Sequence, residues 1–124
     1  MATEILNISL SLKRGILVVN KIILIPNTTK DKELSFTKDI AYRLIELGLT
    51  VYLDADYSID GTVSYTHTPT DAELIIVVGG DGSVIDASGL AVELDVPLLG
   101  INLGKVGYLT TLDPDNYNEL SKLV

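Results

Sequence analysis

At 124 residues with 47% hydrophobic side chains, the chain has enough apolar mass for one packed domain and too little for two. A formal net charge of −8 excludes nucleic acid or an anionic membrane surface as a general partner, so any bound phosphate must be held by local devices: backbone N–H groups, a helix N-terminus, a cation, or basic side chains from elsewhere. No cysteine is present, which removes disulfides and thiolate metal sites, and no apolar run approaches the roughly 20 residues of a membrane helix.

Residues 1–17 read as a leader outside the main pattern. Ile8, Leu10 and Leu12 alternate as an extra strand would. Lys13-Arg14-Gly15 ahead of Val18 and Val19 fits instead an untranslated stretch before a later start, and the expectation is a leader without a role in the fold. The apolar run after Arg14 is too short for a targeting segment, so a cytoplasmic location is expected.

From residue 18 onward strands and helices alternate. Ile22-Ile23-Leu24-Ile25, stopped by Pro26 and Asn27, reads as a strand buried on both faces. Asp31 is placed as the N-cap of a helix whose Leu34, Ala41, Leu44 and Ile45 share one face, with Lys32, Lys38, Asp39, Arg43 and Glu46 left polar. Gly48 ends it, because glycine tolerates the left-handed conformation needed there. Thr50–Asp54 is a second strand, and residues 55–72, rich in Asp, Ser, Thr and Tyr without period, form a long surface loop. Leu74–Val78 is the clearest strand and runs into Gly79-Gly80-Asp81-Gly82, followed by a helix from Ser83 to about Leu94. Pro97–Ile101 is a fourth strand, again opening onto a glycine-rich turn, and Asp113-Pro114 starts a last helix. This alternation predicts an α/β, doubly wound, mostly parallel sheet with flanking helices. Ligands of such sheets sit beyond the carboxyl ends of the strands, where both glycine-rich turns fall.

Gly79-Gly80-Asp81-Gly82-Ser83 is the first segment suited to chemistry. Its glycines let a ligand approach the backbone, and successive N–H groups with a helix N-terminus favour an anion. A carboxylate repels phosphate, so Asp81 suits a hydroxyl or a magnesium-bound group; the plainer reading is a tight turn with Asp81 as N-cap. The second segment, Gly100 to Thr110, offers glycines, an amide, a cation and an aromatic ring as a nucleotide wall. Asn102 can donate and accept, and Tyr108 can stack with its hydroxyl wet. Alternatively this is a glycine-rich connection with Tyr108 and Leu109 in the core.

Taken together, Gly79-Gly80-Asp81-Gly82-Ser83 and Gly100-Ile-Asn-Leu-Gly-Lys-Val-Gly-Tyr-Leu109 resemble the paired signature of bacterial NAD kinases, and Lys21–Asn27 resembles that family's first strand. The likeness spans about Lys21 to Val124. It implies the N-terminal domain of the NAD kinase and phosphofructokinase-like type. In the complete enzyme it implies transfer of the terminal phosphoryl of ATP, or of polyphosphate, to the adenosine ribose 2′-hydroxyl of NAD, giving NADP. By the same resemblance Asp81 is the proton acceptor at that hydroxyl, Gly82 lies against the nucleotide, and Gly79 and Gly80 border the donor. Ser83, Asn102, Gly104, Gly107, Tyr108 and Leu109 complete the nucleotide surround. Ser83 stands for the usual Thr and Tyr108 for the usual Phe. Magnesium on the donor phosphates and a homo-oligomer, dimer or tetramer, are likewise implied, with no protein-held metal site expected from this chain. The family's Asn-Glu motif and β-rich second domain have no match here, so this chain by itself is expected to be inactive. A lipid kinase of the diacylglycerol or sphingosine type shares the Gly-Gly-Asp-Gly turn, but its next segment reads Pro-x-Gly-Thr-Gly-Asn-Asp. A binding or oligomerising module without turnover is the reading from another class.

Other side chains carry less. His67 lies in a polar loop without an evident partner, and Asp86, a helical turn past the Gly-Gly-Asp-Gly loop, reads as facing solvent, the alternative being assistance to magnesium. Tyr52, Tyr57 and Tyr65 fit ordinary packing or an aromatic patch at a subunit contact.

Overall fold

Ile22-Ile23-Leu24 and Leu74 to Val78 are apolar at every position because both faces of their strands are covered, and all of these side chains are buried. The computed structural model describes residues 19–103 and 108–112; for Asp81, Asn102 and residues 108–112 it describes the backbone alone. The described residues hold strands β1 (Lys21–Ile25), β2 (Thr50–Asp54), β3 (Val63–Tyr65), β4 (Leu74–Gly79), β5 (Leu98–Asn102) and β6 (Tyr108–Leu112), with helices α1 (Ser35–Glu46) and α2 (Asp81–Leu94). The strands make one sheet in the order β3-β2-β1-β4-β5-β6. All neighbours are parallel except β5 and β6, which pair antiparallel. The expected doubly wound, mostly parallel α/β architecture is what the chain adopts.

Each face has its own core. Ile22, Leu24, Val51, Leu53, Ile76 and Val78 pack with Phe36, Ile40, Ala41 and Leu44 of α1. On the opposite face Ile23, Ile75, Val77 and Leu98 pack with Val84, Ala87 and Ala91 of α2. Alternate residues of β1 and β4 therefore serve opposite layers, as the period of two along a strand requires. Each fully buried Ile, Leu or Val contributes about 1.5–3 kcal/mol relative to exposure.

Several expectations are corrected. The buried face of α1 is Phe36, Thr37, Ile40, Ala41 and Leu44, while Leu34 and Ile45 are only half-buried. Asp31 is not the N-cap residue; Leu34 holds that position, in the left-handed region at φ 57°. Asp31 reaches the helix start from outside: its buried carboxylate, 6% exposed, accepts Thr37 N–H at 2.9 Å, Thr37 Oγ1–H at 2.7 Å and Phe36 N–H at 3.3 Å. Gly48 ends α1 as expected, at φ 85°. The stretch 55–72 is not loop throughout: Val63–Tyr65 adds to β2 in register Tyr52↔Val63, and this strand is too short and too exposed to show a period. Helix α2 starts at Asp81, two residues earlier than expected, and the fourth strand starts at Leu98 rather than Pro97. Tyr108–Leu112 forms an edge strand rather than a glycine-rich connection. The three tyrosines do not share one patch, since Tyr57 packs on the α1 side of the sheet and Tyr52 and Tyr65 on the α2 side. The leader 1–17, Gly104, Gly107 and the helix at Asp113-Pro114 lie outside the described residues.

Candidate functional site

The sheet order reverses direction at β1. From β1 the chain passes through α1 to β2 on one side, and later enters β4 on the other. At such a switch point the loops leaving two neighbouring strands diverge, and the crevice between them is where doubly wound sheets bind ligands. Ile25 is in register with Val77, so the segments Pro26–Lys30 and Gly79–Ser83 leave the sheet side by side.

The β4 side is a strand-to-helix turn. Gly79, at φ 156°, has no room for a side chain: a Cβ would stand 2.5 Å from Ser83 Oγ and 2.9 Å from Asn27 Nδ2. Its carbonyl accepts Leu103 N–H at 2.7 Å, tying the turn to the end of β5. Gly80 is the N-cap of α2 in extended conformation and brings no capping side chain, so the reading of Asp81 as N-cap is corrected. Asp81 is instead the first helical residue. The opening N–H groups of an α-helix have no intrahelical acceptor, and this end carries the positive pole of the helix dipole. Gly82 is exposed, with nothing within 4 Å of a Cβ built on it, so no neighbour among the described residues requires a glycine there.

The β1 side is built around Asn27. Its Oδ1 accepts Thr29 N–H at 2.9 Å and Lys30 N–H at 3.1 Å, and its backbone carbonyl accepts Asp31 N–H at 2.8 Å. Its Nδ2 donates to Ser83 Oγ at 2.8 Å across the crevice. The Lys30 side chain also crosses: a Cβ on Gly80 would stand 2.8 Å from Lys30 Nζ. Asn27, which bridges the two turns, and Lys30, whose ammonium lies over Gly80, were missed by sequence reasoning. The available signal was the Asn-x-x-Lys run directly after the first strand, which gains meaning only once β1 lies beside β4.

Of the sequence-predicted residues, Gly79, Gly80, Gly82 and Ser83 come together at this crevice, with the backbone of Asp81 among them. Asn102 ends β5 in register with Gly79 and faces Tyr108 across the β5–β6 pair. Leu109 pairs with Ile101. His67 and Asp86 are exposed, and the His67 ring meets Thr66 Oγ1 at 3.1 Å.

Residues 16–124 match the family model of the ATP-NAD kinase N-terminal domain. The chain belongs to the NAD kinase family. Among similar proteins are the NAD kinase of Lachnoclostridium phytofermentans, 37% identical over 77% of this chain and 34% of that protein, and the NAD kinase of Haemophilus influenzae, 33% identical over 80% and 37%. The NAD kinase of Coxiella burnetii is 39% identical over 65% of this chain and 29% of its own length. The chain thus spans about a third of the length of the curated relatives it matches. The family match favours the NAD kinase side over the lipid-kinase alternative that shares the Gly-Gly-Asp-Gly turn.

Proposed function

We propose that this chain supplies the half-site of an NAD kinase that brings the adenosine ribose 2′-hydroxyl of NAD and the terminal phosphate of a donor together at the start of α2, with the remaining NAD contacts made by residues outside the chain. The observation that carries this reading is the crevice at the switch point, where the N-terminus of α2, with no side-chain cap hydrogen bond at Gly80, lies beside the turn that leaves β1.

In this reading Asp81 orients the 2′-hydroxyl and accepts its proton as the phosphoryl group arrives. A carboxylate is a weak base. Phosphoryl transfer asks little of one, because its loose transition state leaves most of the catalysis to positioning and charge neutralisation. Gly82 offers its open Cα face to the nucleotide, Ser83 contributes its hydroxyl at the same turn, and Asn102, Gly104, Gly107, Tyr108 and Leu109 form the nucleotide wall. Magnesium travels with the donor, ATP or polyphosphate, whose phosphate oxygens suit a hard cation. Among the described residues no group of three His, Cys, Asp or Glu side chains is placed to hold a metal ion. Also among the described residues, no helix is long and apolar enough to cross a membrane. A cytoplasmic homo-oligomer fits the same reading; Ile85 and Val92, 62% and 54% exposed on α2, leave apolar surface for an association.

The test is NADP formation from NAD, ATP and magnesium in a complete enzyme carrying this chain as its N-terminal part. Asp81→Asn removes charge and proton acceptance while keeping size. The expected result is a fall in turnover of about a hundredfold or more, with NAD affinity changed by less than about tenfold. Full activity in Asp81→Asn would remove Asp81 from the mechanism, and robust activity in the 124-residue chain alone would refute the half-site reading.

A further inference from the structure

We propose that Lys30 is the side chain that holds the phosphate chain of the phosphoryl donor, and that Gly80 lacks a side chain so that this ammonium can lie against the turn. The proposal rests on the NAD kinase reading above and adds to it a ligand for the donor.

The end of the exposed Lys30 side chain lies over Gly80. A Cβ on Gly80 would stand 2.8 Å from Lys30 Nζ and 3.4 Å from Lys30 Cε, so the end of the lysine occupies the space that any other residue at 80 would fill. The backbone beneath Lys30 is set by Asn27, whose Oδ1 accepts Lys30 N–H and whose Nδ2 grips Ser83. One amide side chain therefore fixes the distance between the lysine's turn and the first turn of α2. Among the described residues Lys30 Nζ has no carboxylate partner, in a chain with a formal net charge of −8. A cation held over a glycine turn in an acidic domain, without a carboxylate partner among the described residues, is complementary to an anion.

The phosphates it serves are those of the donor rather than the pyrophosphate of NAD. The transferred phosphoryl must end on the hydroxyl that Asp81 engages, and Asp81 directly follows Gly80. The donor's terminal phosphates therefore lie at the residue Lys30 covers, whereas the pyrophosphate of NAD leaves the ribose from the opposite side of the ring. Lysine suits this duty as a compact point charge on a flexible stem that can follow a phosphate chain. ATP and polyphosphate present the same chain of phosphates, and Lys30 serves either.

The experiment measures KM for ATP, for polyphosphate and for NAD in the complete enzyme with Lys30→Met, Lys30→Arg, Gly80→Ala and the Lys30→Met/Gly80→Ala pair. Lys30→Met is expected to raise KM for ATP about tenfold or more, equivalent to about 1.4 kcal/mol, and to leave KM for NAD within about twofold. A matching rise for polyphosphate assigns the contact to the phosphate chain, while a rise confined to ATP overturns that assignment. Lys30→Arg is expected to recover part of the loss. Gly80→Ala is expected to raise KM for ATP when Lys30 is present and to add little in the Lys30→Met background, because both changes remove one contact. An unchanged KM for ATP, or an equal rise for ATP and NAD, overturns the proposal. If the unsubstituted enzyme forms no NADP, the NAD kinase reading fails by itself. Binding of inorganic tripolyphosphate to the 124-residue chain, followed by phosphorus NMR, then decides Lys30: weakening in Lys30→Met supports it and equal binding overturns it.

Discussion

Asn27 and Ser83, 56 positions apart, are joined by a 2.8 Å hydrogen bond from Asn27 Nδ2 to Ser83 Oγ that closes the switch-point crevice on one side. The same Asn27 side chain also accepts two backbone N–H groups from its own turn. Removing it disrupts three hydrogen bonds, whereas Ser83→Ala disrupts one. Asn27→Ala is expected to cost about 1–3 kcal/mol and Ser83→Ala about 0.5–1.5 kcal/mol. Urea denaturation of both single variants and the pair checks this, with a coupling of at least about 0.5 kcal/mol expected for residues in contact. Strict additivity would show that the bond contributes nothing to the fold.

Gly79 and Gly82 are two glycines of one turn with opposite expectations. Gly79→Ala drives a methyl group against Ser83 Oγ and Asn27 Nδ2, at 2.5 and 2.9 Å. It is expected to destabilise by about 1–3 kcal/mol, as overpacking does. Gly82→Ala meets open space inside a helix and is expected to stabilise by about 0.5–1 kcal/mol. In the complete enzyme the same Gly82→Ala is expected to raise KM for NAD, because the proposed nucleotide uses that space. Melting temperatures and kinetics on both variants separate the two roles, and a stabilised Gly82→Ala with unaltered KM would free Gly82 from any ligand contact.

Asp31→Ala tests the start of α1. The substitution leaves the Thr37 hydroxyl and amide, on a residue 0% exposed, without their acceptor. The expected cost is about 1–3 kcal/mol, that of stranding buried donors, and more than Asp31→Asn, which retains one acceptor oxygen. Equal stabilities for the two variants would mean that the carboxylate is not what holds the helix start.

The amino ends of the strands carry one pH-dependent cluster among the described residues. Lys21 Nζ meets Asp71 Oδ2 at 2.8 Å, and Tyr52 donates its hydroxyl to the same carboxylate. The hydrogen bond from Lys21, then that from Tyr52, holds the Asp71 carboxyl below its ordinary value of 3.8. Asp71 hydrogen bonding holds the Lys21 ammonium above 10.5, and desolvation followed by the Asp71 hydrogen bond holds the Tyr52 hydroxyl above 10.0. A depressed carboxyl stabilises above its unfolded pKa, so the Asp71 contribution is lost as pH falls below 3.8. A raised ammonium stabilises below its unfolded pKa, so the Lys21 contribution is lost as pH climbs beyond 10.5. Both side chains are exposed, and the effect is screened by salt. Lys21→Met is expected to move the Asp71 titration midpoint upward by NMR, and an unmoved midpoint would assign the shift to Tyr52 alone.

The uninterrupted apolar runs at β1 and β4, the glycine that ends α1 and the paired segments around Asp81 and Tyr108 were all legible in the sequence. Each is a local property: a strand covered on both faces is apolar at every position, and a left-handed helix end favours glycine whatever lies nearby. Those segments also sufficed for the family, since the model match covers the same stretch. What the order of the strands decides was not legible. The pairing of β1 with β4 sets Asn27 against Ser83 and Lys30 over Gly80, and neither contact leaves a trace in periodicity. Strand β3 is three residues long and exists because β2 offers it an edge, and β6 turns antiparallel by pairing with β5. Asp31, placed by its residue type at a helix N-terminus, caps from farther away because the loop from Asn27 folds its carboxylate inward. Residue patterns report the surroundings of each element over a few positions, whereas the crevice is made by two loops that only the completed sheet brings side by side.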